Sequence, residues 1–359
     1  MASGQMTDTV EVAYDEFCGA LAAEDLQPLW AQAGELMPAH PYPATQAWLW
    51  KWKSVLPLAE KAGELITIDK GGDRRVLALA NPGLNGLPFT SSTLWGAVQY
   101  LGPHEHALAH RHTPSALRFV MEGDGVWTTV NGDACDMSAG DVVLTPSWTW
   151  HDHTNGSDQP MTWFDGLDLP LTVALEAVFF ERHPEGMQRV TGPHNASERL
   201  FGRGTIPRSS GAPPHVSPLL LYRRADTDRS LAALAAASDR PMVSLEFVNP
   251  TTGRSVMPTL GCEMHRLQPH RRTRPYRKVG SSVYVVFRGA GSTIIDGQRF
   301  EWEEKDMFVT PSWSVVEHEA TEAADLFAIT DQPVLEALHL FREEHPAEAQ
   351  EINRTFSPK

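Results

Sequence analysis

The sequence has little cysteine and no long apolar run. Its three cysteines, Cys18, Cys135 and Cys262, are odd in number and far apart in a chain of 359 residues. This spacing gives neither a disulfide framework nor a CxxC site, and it is typical of proteins in a reducing compartment. No apolar stretch reaches the roughly 18 residues of a membrane helix, and the first 30 residues lack the basic segment of a signal peptide. We therefore expect a cytoplasmic protein without a membrane partner.

Positive charge is also scarce. Thirty lysines and arginines face 45 aspartates and glutamates, which gives a net charge of −15. Such a chain is a poor ligand for nucleic acids and anionic membranes. If it handles an acidic small molecule, the attraction must be local and come from a metal ion or a few arginines.

The pattern of apolar residues differs between the N-terminal part of the chain and the rest. Residues 14–37 carry Phe17, Leu21 and Leu29 at roughly helical spacing, which predicts a helix. From about residue 63 the sequence consists of short apolar runs cut by Gly, Pro, Asn and Asp. That texture is typical of an all-β sandwich or barrel.

The β-rich texture occurs twice in the same order. In the first half FVMEGDG, VNGD and GDVVLTPSW follow one another, and in the second half VVFRGAG, IDGQ and KDMFVTPSW do. The spacing holds within one residue over about 50 positions, which indicates two copies of one β-domain. The matched pairs are Gly123 with Gly289, Asp141 with Asp306, and Trp148 with Trp313.

A Gly/Pro/Ser-rich stretch at 203–218 separates the copies and predicts a linker. An Ala-rich segment near 229–237 predicts a short helix, and 333–350 a closing helix. The predicted division is an N-terminal helical arm at 1–62, a first β-domain at 63–190, a linker or arm at 191–238, and a second β-domain with a C-terminal helix at 239–359.

The first copy contains a histidine constellation. On a strand, His110 and His112 point to one face because alternate residues do. A Gly-Asp turn and an apolar strand then bring the segment His151-Asp152-His153 back antiparallel, so that one histidine from it can complete a triad of imidazoles. Isolated histidines are usually structural or exposed, and this is our interpretation of His104 and His106.

These motifs resemble those of a known superfamily. The HxH pair, the downstream glycine and the pattern G-D-x-x-x-x-P-x-W-x-x-H resemble the two signature motifs of cupins. More narrowly, AHRHTPSALRF at 109–119 and GDVVLTPSWTWHDHTN at 140–155 resemble the gentisate 1,2-dioxygenase family, which includes salicylate and 1-hydroxy-2-naphthoate dioxygenases. The resemblance covers nearly the whole chain. It implies an all-β bicupin: two jelly-roll barrels, each a double-stranded β-helix, after an N-terminal helical arm.

The resemblance also implies one Fe(II) per chain, bound by His110, His112 and His151. Many cupins add a glutamate ligand shortly after HxH, but residues 113–117 read TPSAL and carry no carboxylate. Three neutral imidazoles leave the metal charge uncompensated, which favours an anionic chelating substrate. Spacing alone leaves Mn, Cu, Ni and Zn open, and iron follows from the resemblance.

The second copy has lost these ligands. Tyr276 and Lys278 stand opposite the HxH pair, and Val316 stands opposite the third histidine. His318 aligns with His153 and with no ligand. We therefore predict a metal-free second cupin.

Two further residues are candidates for catalysis. His153 follows His151 by two positions and faces the same cavity if the strand continues. The resemblance implies a histidine near the metal that hydrogen-bonds the substrate hydroxyl or transfers a proton; the alternative is a supporting or solvent-facing histidine. Asp165 matches a family acid that orients histidines, and Asp168 is a weaker candidate.

Substrate binding is assigned to arginines and to one strand. Arg118 lies six residues after His112 on the same predicted face. An unpaired guanidinium would be costly there, and a substrate carboxylate is a suitable bidentate partner for it. The family has a substrate-binding arginine in the Arg74–Arg75 segment, and Arg74 is our choice, although Arg75 stays open. Trp95, Ala97 and Gln99 alternate on one strand and resemble the family's pocket wall, although such a stripe is also typical of plain core.

The activity implied by the resemblance is oxygen-dependent, extradiol-type ring cleavage of gentisate to maleylpyruvate, between the carbons that carry the carboxylate and the hydroxyl. The alternatives are the same chemistry on salicylate, a 5-substituted salicylate or 1-hydroxy-2-naphthoate. A more distant one is a non-oxygenase cupin, either an isomerase or a binding protein. The implied partners are a small aromatic hydroxy acid and O2, and the resemblance implies a homo-oligomer, a tetramer.

Overall fold

The computed structural model describes residues 3–66, 75–208 and 216–358. Contacts divide the chain into a small unit that ends at Tyr42 and a large unit from Pro43 onward. The small unit contains two helices, α1 (Ser3–Ala23) and α2 (Leu29–Leu36). The single helix predicted over 14–37 is therefore interrupted. Asp25 adopts a left-handed φ of 54°, and Pro28 lacks the N–H that a continuous helix needs.

The large unit begins with a short strand and a helix, and the first barrel follows. The elements are β1 (Trp48–Trp50), α3 (Trp52–Leu65), β2 (Val76–Ala78), a 3-10 turn (Pro82–Leu84), β3 (Trp95–Leu101), β4 (His106–His112), β5 (Ala116–Glu122), β6 (Asp124–Val130), β7 (Asp133–Ser138), β8 (Val142–Thr145), β9 (His151–Asn155), β10 (Met161–Leu167), α4 (Leu169–Ala174) and β11 (Phe180–Arg182).

A connection and the second barrel complete the chain. The connection holds α5 (Ala196–Phe201), β12 (Leu221–Tyr222) and α6 (Arg224–Ala236). The second barrel holds β13 (Met242–Glu246), β14 (Gly261–Leu267), β15 (Arg277–Lys278), β16 (Ser282–Arg288), β17 (Gly291–Ile295), β18 (Gln298–Trp302), β19 (Met307–Thr310), β20 (Val316–Ala320), β21 (Ala324–Thr330), α7 (Gln332–Ala337), β22 (Glu343–Glu344) and β23 (Arg354–Thr355).

The six-stranded sheets of the two barrels have the same strand order, and this architecture confirms the predicted all-β bicupin. The first joins a sheet in the order β12-β8-β5-β10-β3-β2 to a sheet in the order β11-β4-β9-β6-β7. The second joins β1-β19-β16-β21-β14-β13 to β20-β17-β18-β23, and β15 pairs with β22. The pairing is antiparallel apart from β18 with β23.

The barrels exchange strands. β1 precedes the first barrel in sequence but pairs with β19 of the second barrel. β12 precedes the second barrel but pairs with β8 of the first. The second residue after each exchanged strand is fixed in the same way, because the backbone N–H of Trp52 donates to Asp306 and that of Arg224 donates to Asp141, both over 2.8 Å. The arm and the linker predicted from sequence thus each supply a strand to a barrel.

The largest apolar cluster joins the two barrels. Phe119 of β5 stacks on Phe327 of β21, with ring centroids 4.2 Å apart. Alternation along β5 sends Leu117 and Phe119 into this cluster, while Arg118 points the other way, into the first barrel. The strand that joins the barrels therefore also carries a site residue.

The helix predicted over 333–350 is wrong beyond its first five residues. α7 ends at Ala337, and His339 has a left-handed φ of 58°. β22 then pairs with β15, and Pro346 follows, so the segment continues as a barrel edge. The short helix predicted near 229–237 lies in α6. Among the described residues, no helix combines the length and the apolarity needed to cross a bilayer.

Candidate active site

Three histidines from two neighbouring strands converge inside the first barrel. β4 and β9 pair so that His110 lies opposite His151, and His112 is two residues further along β4. Ring centroids are 4.4 Å apart for His110 and His151, 4.8 Å for His112 and His151, and 5.6 Å for His110 and His112. One ring nitrogen from each lies within 4.8 Å of the others. A single metal ion can therefore contact all three.

Backbone carbonyls fix the orientation of each ring. Because a carbonyl oxygen only accepts, each Nδ1 must carry the hydrogen, and each Nε2 keeps its lone pair. The pairs are His110 Nδ1 with Leu108 O at 2.9 Å, His112 Nδ1 with Pro114 O at 2.7 Å, and His151 Nδ1 with Thr149 O at 3.0 Å.

The protonation state suits a metal centre. Burial, followed by the neighbouring His110, lowers the pKa of His112 to about 4. The same two causes hold the pKa of His151 well below its usual value. The Nε2 of His151 is buried and has no hydrogen-bond partner among the described residues. A buried lone pair without a donor fits a divalent metal ion, since imidazole is a common metal ligand.

The second barrel confirms the alignment of the two copies. Tyr276 and Val316 form a β-bridge at the position of the His110–His151 pair. The Tyr276 hydroxyl lies 3.2 Å from the Tyr284 hydroxyl and 3.2 Å from His318 Nε2. Within the described parts of the chain, the first barrel holds the one cluster of metal-ligating side chains. The absence of metal from the second barrel stays a prediction.

A cavity of about 340 Å³ opens beside the histidines. This volume is at the lower end for small-molecule sites, which span roughly 300–1,000 Å³. Its polar wall includes Gln99, His110, His112, Arg118, His153 and Asp165, and its apolar wall includes Val76, Trp95, Leu167, Leu169, Val178, Phe179 and Phe180.

Arg118 lines the cavity and is paired within the barrel. Its Nε lies 3.3 Å from Asp165 Oδ1, and its Nη1 donates to Thr145 Oγ1 over 3.0 Å. The cause is strand register, because Arg118 and Asp165 lie directly opposite each other on β5 and β10. Both side chains are 5% exposed, so the guanidinium forms a fixed cationic wall beside the histidines.

Asp165 contacts the guanidinium and an indole rather than a metal-site histidine. Trp163 Nε1 donates to Asp165 Oδ1 over 3.2 Å. Burial raises the pKa of Asp165 to about 6, and Arg118 and Trp163 act in the opposite direction. The contacts described for Asp165 join it to Arg118 and Trp163, and its role in orienting a histidine stays a prediction.

His153 is buried and lines the cavity. Its Nδ1 lies 2.8 Å from Thr128 Oγ1, and its ring centroid is 6.3 Å from that of His151. Burial and the charge of Arg118 hold the pKa of His153 well below its usual value. A neutral imidazole in this place can form a hydrogen bond with a bound molecule.

The double-arginine segment is described only in part. Arg74 lies outside the described residues and stays a prediction. Arg75 turns away from the cavity, because it forms an ion pair with Glu105 and donates to Gly63 O over 2.9 Å. The next residue, Val76, lines the cavity.

The predicted wall strand contributes two of its three residues to the cavity lining. Trp95 and Gln99 line the cavity. Ala97 lies between them and is fully buried. It stands directly opposite Asp165 in the pairing of β3 with β10, so its methyl group adjoins the ion pair rather than open space.

Sequence reasoning missed the wall formed by residues 178–180. β11 pairs with β4 along the histidine strand, and Phe180 packs 5.3 Å from the ring of His110. Repeat comparison could have found it, because phenylalanine and acidic residues before His-Pro recur at 179–184 and 341–346. The weaker candidate Asp168 is structural: it accepts from Ser115 N over 2.7 Å and from Thr259 Oγ1.

Comparison with known proteins agrees with this site. Residues 97–168 match the model of the cupin domain family. A gentisate 1,2-dioxygenase from Streptomyces is 44% identical over 91% of this chain and 94% of its own length. The crystal structure of a salicylate 1,2-dioxygenase from Pseudaminobacter salicylatoxidans has a TM-score of 0.88 at 42% identity, over 93% of this chain and 98% of the other. The crystal structure of its adduct with gentisate has a TM-score of 0.89 at 42% identity, over 94% of both chains.

Proposed function

The chain belongs to the family of ring-cleaving gentisate and salicylate 1,2-dioxygenases, and from that premise we propose that it cleaves the ring of gentisate. The bond broken joins the carbon that bears the carboxylate to the carbon that bears the neighbouring hydroxyl. Both atoms of O2 enter the product, which is maleylpyruvate. Membership in this family argues against the distant alternative of a non-oxygenase cupin, whether an isomerase or a binding protein.

The observation that carries the proposal is the convergence of three imidazole Nε2 atoms beside a buried guanidinium. We infer that His110, His112 and His151 bind one Fe(II). When bound, this ion supplies Lewis acidity and the redox chemistry that spin-forbidden reaction with O2 requires. Together the metal charge and Arg118 make a cationic pocket in an otherwise acidic protein, which suits a substrate carboxylate.

Arg118, His153 and the apolar wall have separate roles in the proposal. Arg118 is held by Thr145 and Asp165, so it can present a fixed fork that sets the direction of the substrate carboxylate. His153 hydrogen-bonds a ring hydroxyl or accepts its proton. Trp95 and Phe180 enclose the ring and exclude water. Gln99 adds a polar contact, and Arg74 stays assigned to the carboxylate.

Gentisate is our first choice of substrate because the Streptomyces relative carries that activity in its name. Salicylate is the second candidate, since the structurally similar Pseudaminobacter enzyme is a salicylate 1,2-dioxygenase. The same enzyme also has a crystal structure as an adduct with gentisate, which keeps both rings as candidates for this chain. 5-Substituted salicylates and 1-hydroxy-2-naphthoate complete the set of alternatives.

Oxygen uptake with a panel of aromatic acids tests the proposal. The panel contains gentisate, salicylate, a 5-substituted salicylate and 1-hydroxy-2-naphthoate. 4-Hydroxybenzoate serves as control, because its hydroxyl is too far from the carboxylate for chelation. We expect the highest kcat/KM for gentisate, one O2 consumed per ring, and maleylpyruvate by mass spectrometry. Faster turnover of salicylate would replace the first-choice substrate, and no uptake with any acid by iron-loaded protein would refute the activity.

We also propose that the active form is a homo-oligomer, a tetramer by its resemblance to the family. Light scattering on the purified protein measures its mass directly and tests this. A cytoplasmic location likewise stays a prediction.

A further inference from the structure

Arg111 lies between two of the metal-site histidines and is held on three sides. Its guanidinium carbon sits 4.4 Å from the ring centre of Trp148 and 4.4 Å from that of Trp150. Its Nε and Nη2 donate to Glu181 Oε2 over 2.8 and 2.5 Å. The side chain therefore joins three segments: β4, the turn before β9, and β11.

The turn that Arg111 holds is strained and leads directly to His151. Trp148 adopts a left-handed φ of 61°, which is unfavourable for a residue with a bulky side chain. Its backbone N–H donates to His112 O over 2.8 Å. Trp148 thus connects the end of the HxH strand to the turn that precedes the third histidine. Cation–π contacts on both indoles oppose relaxation of this turn.

We propose that Arg111 is a positioning residue for the metal centre. It holds β4 and the turn at 148–150 in register, so that the Nε2 atoms of His110, His112 and His151 converge. Through Glu181 it also fixes β11, which keeps the ring of Phe180 against His110. The inference rests on the proposed metal-binding role of the three histidines. It deepens that role by naming a residue that acts on the ligands without contacting the metal.

The second barrel contains a similar clamp without the histidines and with one indole instead of two, since Val315 stands at the position of Trp150. Arg277 lies 4.6 Å from the ring of Trp313, and Trp313 has a φ of 65°. Nε and Nη2 of Arg277 donate to Glu344 Oε2 over 2.8 and 2.5 Å, the same distances as in the first barrel. The exposed fractions also agree, at 26% for Arg111 and 29% for Arg277. Arg277 therefore reports what the clamp does for a barrel alone.

The experiment compares Arg111→Met with Arg277→Met. Both are titrated with Co(II), whose absorption bands report affinity and coordination geometry without turnover, and both are melted in the metal-free state. We expect both variants to lose thermal stability, and Arg111→Met to lose somewhat more because Arg111 packs on two indoles and Arg277 on one. We expect the Co(II) dissociation constant to rise roughly tenfold, as for loss of a supporting group, in Arg111→Met alone, with altered absorption bands. Arg111→Lys, which keeps the charge but not the fork, should lie between wild type and Arg111→Met.

Several outcomes would overturn the inference. Wild-type Co(II) affinity and spectrum in Arg111→Met would do so, as would an equal loss in Arg277→Met. If Arg111→Met does not fold, Glu181→Gln and its counterpart Glu344→Gln weaken only the fork, and the same difference between barrels must appear. A wild-type protein that binds no Co(II) would refute the proposed metal centre itself. If the wild type binds Co(II) and the Arg111 variants bind it with unchanged affinity and spectrum, only the positioning role is refuted.

Discussion

At the scale of single residues, the properties of the cavity depend on how Arg118 divides its five N–H groups. One donates to Thr145, and Nε lies beside Asp165. These contacts leave other N–H groups of the planar fork for a substrate carboxylate. They also hold the fork in one position before substrate arrives, so that little rotamer freedom is lost on binding.

Replacing Arg118 by Lys tests this arrangement. Lysine keeps the charge but cannot contact Thr145, Asp165 and a carboxylate with one planar group. Loss of a charge-assisted hydrogen bond of roughly 1.5–3 kcal/mol corresponds to a fall in kcat/KM of about 10- to 150-fold, with metal still bound. Arg75→Lys is the control, because Arg75 is buried but turned to Glu105. Equal kinetics in the two variants would contradict the assignment.

A second substitution concerns the choice of ring. Ala97 adjoins Asp165 across the strand pair, so Ala97→Gly should let the Asp165–Arg118 pair shift and tilt the carboxylate that it holds. We expect the ratio of kcat/KM for gentisate to that for salicylate to change by up to roughly tenfold, the lower end of what one methyl gives. Ala134→Gly, in the buried part of β7, is the control. Oxygen uptake at matched metal content measures both, and an unchanged ratio would place Ala97 in the plain core.

Among single residues, the sequence predicted the histidines better than their surroundings. The spacing of His110, His112 and His151 follows from strand alternation and a recurrent motif. The pairing of Arg118 with Asp165 depends on the register between β5 and β10, and no local pattern specifies that register. The carbonyl partners of the imidazoles could not be predicted either, because residue identity does not indicate which backbone groups a side chain will contact.

At the scale of elements, two buried aspartates connect the barrels. Asp168 ends β10 of the first barrel and accepts from Thr259, which precedes β14 of the second. Asp331 ends β21 of the second barrel and accepts over 2.5 Å from Thr93, which precedes β3 of the first. Burial raises the pKa of both carboxyls. Each barrel thus supplies the donor that the other one's carboxyl needs.

We expect Thr259→Val and Thr93→Val to destabilise the protein to a similar degree. Each leaves a buried carboxyl without one donor, which costs roughly 1.5–3 kcal/mol for a bond to a charged group. Denaturant unfolding measures the loss. Thr321→Val is the control, since its hydrogen bond to Ala290 is exposed, and it should change the free energy of unfolding by less than about 0.5 kcal/mol. A loss as large in the control would contradict the connecting role.

Helices and strands were predicted well where the pattern of apolar residues changes along the chain. They were predicted poorly where tertiary contacts determine the secondary structure. The change to short apolar runs near residue 63 correctly indicated the barrels. The closing helix was overextended, because helical composition at 333–350 is overridden by the pairing of β22 with β15. That pairing covers the edge beside Lys278, as β11 does beside His112.

At the scale of the whole molecule, the two barrels share a framework but differ in chemistry. We expect metal analysis to find about one iron per chain. His151→Ala should abolish it, because two imidazoles alone hold iron weakly. Tyr276→Phe and Lys278→Ala are the controls in the second barrel and should leave the iron content unchanged. Two irons per chain, or loss of iron in a control, would show that the second barrel binds metal.

We expect the exchange of β1 and β12 to make the connection between the halves dispensable once the protein has folded. A specific protease site inserted after Gly204, in an exposed stretch, would divide the chain into fragments that each keep the strand completing the other's barrel. The nicked protein should elute from a sizing column as an uncut chain does, keep its iron, and separate into two bands only in denaturant. In that state the two fragments form a dimer of single-barrel subunits, in which each subunit supplies one strand to the other's barrel. Elution of separate fragments without denaturant would show that the covalent connection, rather than the exchange of β1 and β12, holds the halves together.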